Sequence, residues 1–320
     1  MPGFLPRTRQ RCLGVDISQQ AIKIVELSRS KGRLKLQGYA IEPLPAGLTE
    51  LQTGAESKSV VQVLLRALEK AAVVTRDAIV GMPDGQVICK TLEIEAGLNE
   101  VELELHVRLE AEQYIPYALD DVALDFEVQD VSSTHPGRVR VQMAACRQEV
   151  LEWHRSVLTG AGLSPRVVAV QAHALACGVE AMTAGMALQG AVAVLDLATH
   201  AALLSVVYQG QVVYYRELLP EHGDTEAHGF ENRVSGHLER GLELFFQSGV
   251  EGTIDMIILA GEAATTPGLS QWVESRLGRP TRAANPFLTM NVEPGLAPEA
   301  LLCDAPVLLT ACGLALRGFD

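Results

Sequence analysis

The chain has 320 residues, 48% of them hydrophobic but only 5% aromatic, and a formal net charge of −13. That length supports two lobes built on aliphatic cores, and the negative charge excludes a general nucleic-acid binder, which must neutralise phosphates. Six scattered cysteines with no CxxC pair exclude a zinc ribbon and point to reduced thiols in a cytosolic protein.

Residues 1–12 form a basic tail that lacks the apolar core of a secretion signal. Phe4 and Leu5 beside Arg7, Arg9 and Arg11 are the minimum for touching an anionic membrane surface, and a disordered tail is the simpler reading. Residues 13–28, LGVDISQQAIKIVELS, read as an apolar strand ending in Asp16, a short turn and a second strand. Gly32 then leads into a third strand, RLKLQGYAIEPLP. Apolar residues Val60, Val61, Leu64, Leu65 and Leu68 predict a helix over 57–72, followed by a short strand from Ala78 to Met82. Asn99 and Glu102 form a capping box that opens a helix running to about Tyr114, before Pro116. Strands at Leu124–Val131 and Arg138–Cys146, a helix at 148–161, a strand at Arg166–Val170 and a helix at 171–187 complete the first half.

Residues 193–207, AVLDLATHAALLSVV, repeat the opening pattern with Asp196 in the place of Asp16, and Gly210 leads into QVVYYRELLP. Interruption by Asp196 and His200 makes the apolar stretch from Gly190 to Tyr208 a strand pair rather than a membrane span. Two copies of one three-stranded meander indicate two similar lobes. A helix at 232–248, a strand at Ile254–Leu259, a helix from Pro267-Gly268 to Leu277, a loop-rich stretch over 283–298 and a helix at Ala305–Leu316 follow. Strands and helices alternate after each meander, which indicates an α/β protein.

Several segments carry a family resemblance. LEAEQYIPYALDDVALDFEV (109–128) resembles the most distinctive stretch of the type IV pilus assembly protein PilM family, and ACGLALRGFD (311–320) resembles its C-terminus. Further similarity runs through GMPDGQVICKTLEI (81–94), 141–175 and ILAGEAATTPGL (258–269). The resemblance implies a two-lobed actin-like ATPase (ribonuclease H-like) fold. Its first lobe would span 13–187 and carry an FtsA-like small subdomain at about 80–150, and its second would span 188–320. It also implies a cytoplasmic scaffold of the pilus inner-membrane platform, serving twitching motility and peripheral at the membrane through its partners. The implied partner is the N-terminal cytoplasmic peptide of a PilN-like membrane protein, held between the large and small subdomains of the first lobe. Other platform proteins are further expected partners, and a homodimer is an open alternative. Glu110, Gln113, Tyr114 and Tyr117 are the candidate groove residues, with core packing the simpler reading for the two tyrosines. Charge agrees with a basic peptide, since residues 92–130 carry twelve acidic side chains and one basic.

Actin-like proteins hold MgATP between their lobes. Here Asp16 and Asp196 would position the metal, with Ser18, Gln19 and Ala198 near the phosphates and Gly261 near the adenosine. Ser18 and Ala198 replace the family's turn glycines, bulky Gln19, Gln20 and His200 occupy the turn tips, and Ala260-Gly261-Glu262 replaces a Gly-Gly pair. The insertion after Tyr215-Arg216-Glu217, at about 218–243, is short, so the small subdomain of the second lobe is expected to be reduced. These departures predict a degenerate nucleotide site that binds ATP and Mg²⁺ weakly or not at all and has no catalytic residue. Two alternatives remain: a working ATPase whose lobe closure switches partner affinity, and a GspL-like type II secretion component. The second is disfavoured because no transmembrane helix follows Asp320. His222, His228 and His237 could in principle bind a metal, although exposed loop histidines are the simpler reading.

Overall fold

Runs of β-branched and aliphatic residues, separated by two to four residues in the opening meanders, build each lobe. The computed structural model describes residues 10–45, 54–131, 135, 137–197, 202–218, 230–249 and 252–319. In the first lobe β1 (Gln10–Ile17), β2 (Ala21–Ser30) and β3 (Arg33–Pro43) form an antiparallel meander. β4 (Asp77–Met82) and β8 (Ser164–Val170) extend the sheet in parallel on the β1 side. Both faces of β1 are buried. Leu13, Val15 and Ile17 pack under α1 (Gly54–Lys70) and α3 (Gln148–Gly160), whereas Cys12 faces α4 (Gln171–Thr183) and α8 (Leu309–Arg317).

The second lobe repeats this order. β9 (Ala191–Leu197), β10 (Ala202–Tyr208) and β11 (Gln211–Leu218) form the meander, and β12 (Ile254–Ala260) and β13 (Thr281–Ala283) follow in parallel. Its outer face is covered by α5 (Phe230–Gln247) and α6 (Leu269–Leu277). Its inner face packs on α4 through Val192, Val194, Ile258 and Met182, so α4 lies between the two sheets.

A small subdomain leaves the first lobe after Met82 through a 3-10 turn, Asp84–Gln86, and returns at Arg147. It consists of β5 (Ile88–Glu95), α2 (Glu100–Ala111), β6 (Val122–Val131) and β7 (Arg138–Arg147), with the antiparallel strand order β5-β7-β6. The capping box is formed: Glu102 N–H donates to Asn99 Oδ1 and Asn99 N–H donates to Glu102 Oε2, both at 3.0 Å.

The C-terminal region differs from the single helix expected over Ala305–Leu316. α7 (Pro298–Asp304) and a 3-10 turn at Ala305–Val307 meet α8 at an 85° bend. Pro306 supplies the reason, since it offers no N–H to a continuing helix and its ring crowds the preceding turn. The loop-rich stretch contains a two-residue strand, β14 (Asn291–Val292), which pairs in parallel with β3 and is held there by Lys35–Glu293 at 2.8 Å.

α8 is wedged between β1 and α4 at glycines. A Cβ on Gly14 would lie 2.0 Å from the Ala311 carbonyl oxygen, and one on Gly313 would lie 1.7 Å from that of Ala174. Among the described residues no single helix is long and apolar enough to cross a membrane.

Candidate functional site

Among the described residues, two places bear on the expected sites: the cleft between the lobes, and a groove where the small subdomain meets the first lobe. In the cleft, β1 and β9 bring Asp16 and Asp196 to one cavity of about 140 Å³, also lined by Ser18, Lys23, Asp84 and Tyr215. An adjoining cavity of about 280 Å³ is lined by Gln19, Gln20, Gly261 and Glu262. Ala198 and His200 lie outside the described residues, as do 219–229 with His222 and His228. His237 is on α5, where its Nδ1 is 3.4 Å from the Arg240 guanidinium.

The β1–β2 turn is closed on itself. The backbone N–H groups of Gln20 and Ala21 donate to the Ser18 hydroxyl oxygen at 3.4 and 3.2 Å. The Ser18 hydroxyl and its own N–H both donate to the Ala21 carbonyl at 3.0 Å. Gly261 N–H donates to the Pro306 carbonyl at 3.1 Å. Its positive φ of 84° and the 2.5 Å between a built Cβ and Asp196 Oδ1 show why only glycine suits that position.

The decisive charge is Lys23, which sequence reasoning passed over. It stands directly across the hairpin from Asp16, and its ammonium lies 3.6 Å from Asp16 Oδ2 while Gln171 Nε2 donates to Oδ1 at 2.7 Å. Both carboxylate oxygens of Asp16 are thereby engaged. Burial pulls the Lys23 ammonium down, yet Asp16, Asp196 and Glu262 together outweigh it and hold the group above its ordinary value. Burial pushes the Asp196 carboxyl up, opposed by Lys23 and reinforced by Asp16 and Glu262. Asp84 is likewise raised by burial, against the Ala172 N–H that donates to it at 3.0 Å. An opposite-charge pair at mirror positions of a hairpin was the available signal for Lys23.

The groove lies between two strand edges. β6 ends the three-stranded sheet and β8 ends the six-stranded one. Between them is a cavity of about 530 Å³ lined by Leu124, Asp125, Leu151, Arg155, Val167 and Val168, among others. A neighbouring cavity of about 210 Å³ is lined by Gln86, Ile115, Tyr117 and Val150. Of the four candidate groove residues only Tyr117 borders this space, with the Arg147 guanidinium 5.3 Å from its ring centre. Tyr114 stacks under Lys90 at 5.2 Å, and Gln113 donates to Glu110 at 3.2 Å; neither they nor Glu110 line either cavity.

A family model described as type IV pilus assembly protein PilM matches residues 14–226 and 219–319. The chain belongs to the type IV pilus assembly protein PilM family. It is also similar to a solved structure described as the PilM-PilN type IV pilus biogenesis complex, with 27% identity over 98% of this chain and 99% of that one and a TM-score of 0.77. The ethanolamine utilization protein EutJ from Carboxydothermus hydrogenoformans shares the fold alone, at 12% identity over 97% and 91% of the two chains and a TM-score of 0.50. Matching strand orders in the two lobes and these similarities establish the actin-like ATPase fold for this PilM-family chain, and family membership places it in type IV pilus assembly.

Proposed function

We propose that this PilM-family chain is a cytoplasmic scaffold that holds an extended peptide from the N-terminus of a PilN-like membrane protein in the groove between β6 and β8. The observation that carries the reading is that two edge strands, β6 and β8, both line one accessible cavity of about 530 Å³. Edge strands offer unpaired backbone donors and acceptors, and an extended peptide satisfies them while its side chains enter pockets. Similarity to a PilM-PilN complex over nearly the whole chain supports the partner class. In this arrangement the protein sits at the inner membrane through its partner.

The described cleft residues do not fit MgATP. A phosphate cradle needs free backbone N–H groups, and those of Gln20, Ala21 and Gly261 are spent inside the protein. Lys23 supplies the positive charge beside Asp16, and Glu262 adds a carboxylate to the lip of the cleft. On this reading the cleft joins the lobes and performs no catalysis.

Calorimetric titration with a synthetic peptide of the partner's cytoplasmic N-terminus tests the scaffold. Saturable binding that weakens at least tenfold in Val167→Arg is expected, and no heat at high micromolar peptide would overturn it. The competing reading, an ATP-driven switch, is favoured by the retention of Asp16 and Asp196 in one cavity. Millimolar MgATP should leave the melting temperature unchanged; a rise of several degrees that disappears in Asp16→Ala would establish the switch instead.

A further inference from the structure

α2 carries two apolar stripes. Leu103, Val107 and Ala111 face the small-subdomain core, at successive intervals of four residues. Val101, Leu105 and Leu109 repeat that spacing two positions earlier, and at 3.6 residues per turn a two-residue offset turns them about 200° away. They point outward and are 77%, 58% and 54% exposed. A surface helix normally keeps its outer face polar, and one that is apolar all round is normally buried. None of the residues lining the groove between β6 and β8 lies on α2, so this stripe is a separate surface.

Charge selects the occupant. At about 100° per residue, Glu102, Glu104 and Glu112 flank the stripe, and Arg108, the helix's single arginine, lies beside it already paired with Glu104 at 3.3 Å. A second copy of the chain would bring the same carboxylates face to face, and an anionic membrane would be repelled as well. A helix with leucine-like residues at the same four-residue spacing, flanked by lysines and arginines, meets both the stripe and its acidic border. We propose that the outward face of α2 is a docking surface for a basic amphipathic helix of a partner protein.

The test uses the full chain and a designed 16-residue probe peptide, with leucines at four-residue spacing and lysines on both flanks, beside a scrambled peptide of equal charge. Fluorescence anisotropy should show saturable binding of the probe, at least tenfold tighter than the scrambled peptide and weakened by salt. Leu105→Gln with Leu109→Gln should remove that difference while leaving the melting temperature unchanged, because both side chains are exposed. Equal binding of the two peptides, or probe binding unaffected by the double variant, overturns the proposal. Sedimentation that shows self-association abolished by the variant, or anionic-vesicle binding abolished by it, also overturns it in favour of those occupants.

Discussion

Replacing Lys23 by methionine keeps most of the side-chain volume and removes, among the described residues, the only cation in contact with Asp16. The Asp16 side chain is 6% exposed and that of Lys23 is 20% exposed, so the pair is largely desolvated. Removing one partner of a buried pair costs about 3–5 kcal/mol, since the other charge is left uncompensated. Asp16 keeps its bond from Gln171, which places the loss near the lower end, about 3 kcal/mol. At roughly 2 °C per kcal/mol for a chain of this size, the melting temperature should fall by about 6 °C. The penalty should depend on pH. Asp196 already holds its proton to a higher pH than an unfolded aspartate, and Lys23 is what restrains that rise. Without Lys23 the native carboxyl climbs further. A raised carboxyl favours the native state below the unfolded value of about 4 and loses that contribution as pH rises through the native value. Lys23→Met should therefore be more damaging at pH 8 than at pH 5. Combining it with Asp16→Asn should cost less than the sum of the two single variants. Urea and thermal unfolding at the two pH values measure all three quantities. A variant as stable as the parent, or a penalty that ignores pH, would refute the account of the cleft.

Gly313→Ala should lower stability by about 2 kcal/mol in denaturant unfolding, although alanine is the better helix former, because the added methyl meets the Ala174 backbone. Asn99→Ala removes the reciprocal cap of α2 and should cost about 1 kcal/mol. Amide hydrogen exchange should show the loss as faster exchange at the start of that helix. Burial pushes the Cys12 thiol up to about 12 and raises Cys312 as well. At pH 8 a disulfide reagent followed by mass spectrometry should label exposed Cys89 and Cys303 first, and Cys12 and Cys312 only on unfolding.

The meanders could be read from the sequence because each packs its signal into a few consecutive residues: an apolar run, an aspartate, a turn and a second apolar run. The α2 cap was equally legible, since Asn99 and Glu102 contact only each other's local backbone. Lys23 was hidden by its setting in AIKIVEL, where a lone lysine between Ile22 and Ile24 looks like an outward-facing strand residue. Two of the carboxylates that hold its charge, Asp196 and Glu262, lie far away in the chain. The bend before α8 was masked by continuous apolar composition from Ala305 onward. Two residues are too few for β14 to leave a periodic trace, and only its pairing with Lys35 and Leu36 defines it. The groove was expected between the large and small subdomains with Glu110, Gln113, Tyr114 and Tyr117 in it, whereas the cavity there is lined from β6, β7, α3 and β8. Residues separated by tens of positions converge there through sheet order, which local pattern does not encode.

The wedge of α8 between β1 and α4 gives synthesis of this protein an unusual timetable. Gln10, at the start of β1, bonds to Gly318, 308 positions further on. At translation rates of about 5–20 residues per second, the first strand waits roughly 15–60 s for the helix that covers it. Until then the apolar face bearing Cys12 and Ile79 stays open to chaperones or to aggregation. A ribosome that stops short of residue 309 therefore leaves no intact first lobe behind, even though that lobe's sheet is nearly all made in the first 170 residues.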